Sequence, residues 1–154
     1  MALTTLNTAP IFTGVPEINL IQIPQASTNV HTSGGTAAIG SNLYVAFTSG
    51  ANGSYVQKMR FQFTSTTNTV NAALTVFKVY FSTVNTGTPS ITQAALIADI
   101  QSPAQTIGAV TTSAYPIEVP LNFAMPANTY LLVGQTVAAT ANSAWYATTF
   151  GGDY

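Results

Sequence analysis

Tyr55-Val-Gln-Lys-Met-Arg-Phe-Gln-Phe-Thr64 decides the fold class of this chain. Met59, Phe61 and Phe63 recur at every second position, with Lys58, Arg60 and Gln62 between them. That is the period of a strand with one face in a core and one in water. Asn71–Thr83 repeats the pattern, with Phe77, Val79 and Phe81 on the core face and Lys78 and Tyr80 on the outer one. The two segments are expected to pair as neighbours in one hairpin. Paired so, they bring Lys58, Arg60 and Lys78 to a single outer surface.

Those three are the only lysines and arginines in 154 residues, against Glu17, Asp99, Glu118 and Asp153, for a net charge of −1. Charged residues make up 5% of the chain, whereas an ordinary globular domain carries about 25%. A surface so neutral does little to oppose association, which implies coverage by other protein chains. The same balance gives no electrostatic reason to expect nucleic acid, whose binding requires several phosphates to be neutralised. The 25 threonines favour strands over helices, because a branched Cβ restricts χ1. Without cysteine, neither disulfides nor a thiolate zinc site can form. No apolar run approaches the roughly 18 residues needed to span a bilayer, so no membrane partner is expected. Met1–Asn7 lacks the basic and apolar regions of a signal peptide, and ordinary secretion is not expected either.

Residues 1–35 are set apart as an extended N-terminal arm, and residues 36–154 as a β-sandwich domain. Within the arm, Pro10, Pro16 and Pro24 interrupt short apolar clusters, including Ile18, Leu20, Ile21 and Ile23. Proline cannot donate to a ladder, so this stretch suits an arm that reaches a neighbour or an edge strand. Further on, Leu43, Val45 and Phe47 share a face, and Ser49–Ser54 reads as a turn. Ile91–Ile100 suits a strand or a short helix. Ile117, Val119, Leu121 and Phe123 alternate with Glu118, Pro120 and Asn122, a half-buried strand that Pro120 places at an edge. Thr129–Val137 and Ala144–Phe150 complete about eight strands. The fold class is all-β, a β-sandwich or jelly roll in a single domain.

The ingredients of catalysis are sparse. His31 is the only histidine, and nothing in the pattern brings it to Asp99 or Asp153 for a Ser–His–Asp set. The four acids are dispersed, which disfavours paired carboxylates or a metal centre. Ser33-Gly34-Gly35 and Gly50–Gly53 do not open helices and so do not make phosphate loops. No catalytic residue, cofactor or metal is therefore expected. Tyr44, Tyr55, Tyr80, Tyr146 and Trp145 are candidates for a carbohydrate-binding face, which frames the alternative of a receptor- or glycan-binding module on a head or tail fibre. A tail or connector component is a further alternative.

Three ordered stretches resemble a family of small tailed-phage virion proteins: Thr48-Ser-Gly-Ala-Asn-Gly-Ser-Tyr-Val-Gln-Lys-Met-Arg-Phe61, Ala72-Ala-Leu-Thr-Val-Phe-Lys-Val-Tyr80, and Val119-Pro-Leu-Asn-Phe-Ala-Met-Pro-Ala-Asn-Thr-Tyr-Leu131 with the ending Phe150-Gly-Gly-Asp-Tyr154. The chain departs from that pattern in its low strand charge and in Asn128, where the family commonly has Gly. The resemblance implies a capsid decoration (cement) protein, a homotrimer on the outer surface of the virion, made in the host cytoplasm and partnered by the major capsid protein. Ile18, Leu20, Ile21, Ile23, Lys58, Arg60, Lys78, Asp153 and Tyr154 are the candidate interface residues. Deletion of residues 1–24 is expected to abolish shell binding and leave the sandwich folded.

Overall fold

A computed structural model of the chain describes residues 14–24, 37–65, 71–106 and 114–154. The strands are β1 (Val15–Ile23), β2 (Tyr44–Thr48), β3 (Ser54–Ser65), β4 (Asn71–Ala72), β5 (Thr75–Ser82), β6 (Ala94–Ser102), β7 (Gln105–Thr106), β8 (Ile117–Met125), β9 (Tyr130–Gln135) and β10 (Ser143–Asp153). Two four-stranded antiparallel sheets have the orders β1-β10-β3-β8 and β2-β9-β5-β6, and β4 and β7 form a short separate pair. Leaving that pair aside, the chain crosses from one sheet to the other at every connection except β5 to β6, which pair within one sheet, the arrangement of a jelly roll. The fold is therefore an all-β sandwich, as its periodicity indicated.

The core lies between the sheets. Met59, Phe61 and Phe63 of β3 and Trp145 and Ala147 of β10 face Phe77 and Val79 of β5 and Leu131 and Val133 of β9, all of them buried. Phe61 and Phe77 stack across the gap with centroids 4.3 Å apart and planes 11° from parallel. Trp145 meets Phe77 edge-on at 4.8 Å.

Three expectations are corrected here. First, β3 and β5 are not a hairpin. They lie in opposite sheets, so Lys78 projects from the far side of the sandwich relative to Lys58 and Arg60. The period of two gives each strand a core face but does not identify its neighbour. Second, a register shift in β2 between Val45 and Phe47 separates residues expected to share a face. Phe47 enters the main core, while Val45 packs on a smaller cluster with Ala37, Leu43, Tyr80, Ala94 and Leu132. Tyr80, expected on the outer surface, is thereby covered and only 1% exposed.

Third, Val15–Ile23 belongs to the sandwich. It pairs with β10 in unbroken register from Val15↔Asp153 to Ile23↔Trp145, so this part of the expected arm is an edge strand. Residues 1–13 and 25–35, including His31, lie outside the described residues. Ile23 is fully buried, and its carbonyl accepts a 2.8 Å hydrogen bond from Gln135 Nε2 of the other sheet. That bond fastens one side of the sandwich, where β1 also packs on β2. At the opposite side β6 and β8 are both edges. There Ile117, Val119, Leu121 and Phe123 stay half-buried, as their alternation with polar residues and Pro120 foretold.

Deleting residues 1–24 removes an entire strand and a core side chain. Filling a large aliphatic position with nothing costs about 2–5 kcal/mol, before the lost ladder is counted. The truncated chain is expected to show a clearly lowered denaturant midpoint, and an unchanged midpoint would show that β1 contributes nothing to the fold.

Candidate interaction surface

The outer face of the β1-β10-β3-β8 sheet is built from ladder rows. Ile18 lies beside Phe150, which lies beside Lys58, and Lys58 lies beside Pro120. The next row runs Leu20, Thr148, Arg60, Glu118, and the third runs Gln22, Tyr146, Gln62. Strands stand about 4.8 Å apart, so neighbours in a row touch. β1 reverses the usual allocation of its residues. Ile18 and Leu20 point to solvent, 68% and 64% exposed, while Glu17 and Asn19 point the other way. Leu20, Arg60, Gln62, Tyr146, Thr148 and Phe150 line a shallow groove on this face.

The charged residues on the two faces are mostly paired. Lys58 Nζ donates to Glu118 Oε2 at 3.0 Å and sits 5.2 Å from the Phe150 ring centroid. Lys78 Nζ donates to Asp99 Oδ2 at 2.8 Å on the other sheet. Arg60 has no ion pair among the described residues. One of its nitrogens donates to Gln62 Oε1 at 3.2 Å, and its buried Nε has no hydrogen-bond partner among them. Of the three cations expected in one patch, two share a face, and Arg60, although Glu118 stands opposite it in the ladder, is the one without an ion pair among the described residues.

Asp153 and Tyr154 stand elsewhere, at one end of the sandwich. The Asp153 carboxylate accepts from the Gly50 amide at 3.0 Å and from the Ser54 hydroxyl. A Cβ at Gly50 would stand inside that carboxylate. The Tyr154 amide donates to the Gly53 carbonyl at 3.1 Å. Gly53 has a φ of +90° and lies so close to the Met125 carbonyl that an added Cβ would approach it to 2.7 Å. The Ser49 hydroxyl donates to the Pro126 carbonyl at 2.6 Å, which the Thr129 hydroxyl also meets at 2.7 Å. The 48–54 turn, the 125–129 turn and the C-terminal Gly-Gly-Asp-Tyr thus form one clasp. The Asp153 carboxylate is engaged within the chain.

The groove residues Tyr146, Thr148 and Phe150 were not among the residues nominated from sequence as protein contacts. Their signal was available: they alternate with Trp145, Ala147 and Thr149, which are buried. Among the described residues, no three His, Cys, Asp or Glu side chains gather where they could hold a metal ion.

No family model and no curated protein matches the chain. Among solved structures it is similar to a chain of the infectious bursal disease virus Gx strain, at 10% identity and a TM-score of 0.37, over 99% of this chain and 38% of that one. A chain of the T13 infectious bursal disease virus particle matches at 10% identity and a TM-score of 0.35, over 99% and 35%. The VP2 subviral particle of that virus matches at 9% identity and a TM-score of 0.29, over 99% and 37%. The chain spans less than two fifths of the length of these structures, and at such scores the likeness carries no functional argument.

Two outcomes follow from the electrostatics. Replacing Asp153 by Ala removes a carboxylate that holds an amide and a hydroxyl, and hydrogen bonds to a charged group are worth about 1.5–3 kcal/mol. Asp153→Ala is expected to lower the unfolding free energy by that order, and Gly50→Ala, which displaces the same carboxylate, is expected to act in the same direction. Denaturant titration of both single variants and the double, with non-additive costs, is the check.

Burial first, and then the Asp99 carboxylate, push the Tyr80 phenol well above its ordinary range. The folded form therefore keeps this proton after the unfolded chain has lost it. Its contribution is constant below about pH 10 and then declines by about 1.4 kcal/mol per pH unit. Tyr80→Phe should flatten that alkaline decline in a pH series of denaturation midpoints, and an unaltered slope would contradict the assignment.

Proposed function

We propose that this protein is a non-enzymatic phage capsid decoration protein, which binds the assembled shell of major capsid protein and stabilises it from the outer surface of the virion. The observation that carries the reading is the outer face of β1, where Ile18 and Leu20 stand open to solvent beside Phe150 on a chain with only seven charged side chains. Large apolar side chains left bare in contiguous rows mark surfaces meant for another protein. The resemblance to small tailed-phage virion proteins supplies the kind of partner. Two of its stretches meet physically in the clasp that joins the 48–54 turn to Asp153.

The mechanism is mass-action linkage. A ligand that binds only the assembled shell stabilises it by RT ln(1 + [L]/Kd), about 4 kcal/mol at a thousandfold excess over Kd. Many copies acting together resist the pressure of packaged DNA. Self-association into trimers suits threefold positions on such a shell, and the neutral surface suits it as well.

Quantitative mass spectrometry of purified virions checks the reading. Near-stoichiometric abundance relative to the major capsid protein is expected. A handful of copies per particle would move the protein to a tail, connector or fibre, and its absence would end the virion reading.

A further inference from the structure

Resting on the decoration reading for its partner, we propose that the groove around Arg60 is a docking site for one carboxylate side chain, flanked by apolar residues, on the shell protein. The charge inventory leads there. Lys58 and Lys78 are satisfied by Glu118 and Asp99, which leaves Arg60 as the described cation without an acid. Arg60 lines the groove with Gln62, Thr64 and Thr148, and Leu20, Tyr146 and Phe150 give it apolar walls. Apolar walls limit access of water, and a planar guanidinium matches a carboxylate in a two-bond fork. A single unmatched cation suits one carboxylate and not a run of phosphates, for which several positive charges are needed.

An acid of another protein fits this site better than one of a second copy. This chain has four acidic side chains. Asp99 and Glu118 are held in ion pairs, and Asp153 is held in the clasp. Glu17 sits on the opposite side of β1 from Leu20. On a second copy, Glu17 is the one described acid outside these pairings, and it lies off the face that carries Leu20 and Arg60. The exposed Ile18 and Leu20 extend the apolar wall beyond the groove, so an acid embedded among apolar neighbours fits better than one on a highly charged surface.

Two measurements test the site. Arg60→Lys keeps the charge and places a primary amine in the groove. Zero-length carbodiimide coupling of virions carrying that variant is expected to join position 60 to an Asp or Glu of the major capsid protein, read by peptide mass spectrometry. Coupling only to Glu118 of the same chain, or none, overturns the site.

In the second measurement, wild-type, Arg60→Glu and Leu20→Asn proteins are titrated onto purified shells stripped of this protein. Losing one partner of a desolvated charge pair typically weakens binding by about thirtyfold or more. Arg60→Glu is expected to lose at least that, Leu20→Asn to lose less, and each free protein to melt near the wild-type temperature. If Arg60→Glu fails to fold, the coupling result decides. Wild-type affinity of a folded Arg60→Glu overturns the groove while leaving decoration intact. Failure of the wild-type protein to bind shells overturns both.

Discussion

The contact between Phe61 and Phe77 holds together everything else in this molecule. One ring belongs to β3 and the other to β5, and their stack, closed on one side by Trp145, is where the two sheets meet. Aromatic pairs of this kind add about 0.5–1.5 kcal/mol beyond the area they bury. Their geometric effect is larger than that figure suggests. Once β3 and β5 are fixed face to face, their outward residues are committed to opposite sides of the sandwich. The separation of Lys78 from Arg60 is a direct result. The groove then draws on β10, which lies beside β3 in its own sheet.

The sequence made the faces of strands legible and left their partners hidden. Met59, Phe61 and Phe63 alternate so regularly that their burial could be read without any structure, and Pro120 correctly marked β8 as an edge. Nothing in Lys78 or its neighbours said that β5 pairs with β9 and β6, because a period of two is the same whichever strand lies alongside. Irregular ladders defeated the pattern elsewhere. The shift in β2 sends Val45 and Phe47 to different clusters, and the segment around Ala37 and Leu43 covers Tyr80, which the alternation alone would leave in water. β1 was obscured for another reason. Its apolar residues at 18 and 20 point outward, and its prolines imitate a loose arm. Arg60 was nominated as one of three equivalents. Its distinction is that no acid answers it, which depends on where Glu118 and Asp99 come to lie.

The C-terminal clasp shows a short motif at work within its own chain. Phe-Gly-Gly-Asp-Tyr resembles a family ending, and its aspartate was nominated as a contact for other proteins. Its carboxylate instead fixes the turn that launches β3, so the motif acts on the strand that carries Arg60. The glycines at 50 and 53 leave the space that this requires. The ending and the sheet face proposed for interaction are thus linked through Ser54, the first residue of β3.

Pairing β1 with β10 also has a consequence for synthesis. The two strands are separated by more than a hundred residues, and the ribosome adds about 5–20 residues per second. For something on the order of ten seconds, β1 has been made while the strand that flanks it has not. The sheet bearing Ile18 and Leu20 therefore takes its final form only once β10 has been made, since β10 is also the strand that joins β1 to β3. Before that point there is no groove and no ordered apolar row to engage a neighbouring chain. The wrapped order of strands acts as a timer, delaying a sticky surface until the strand at its middle has been made.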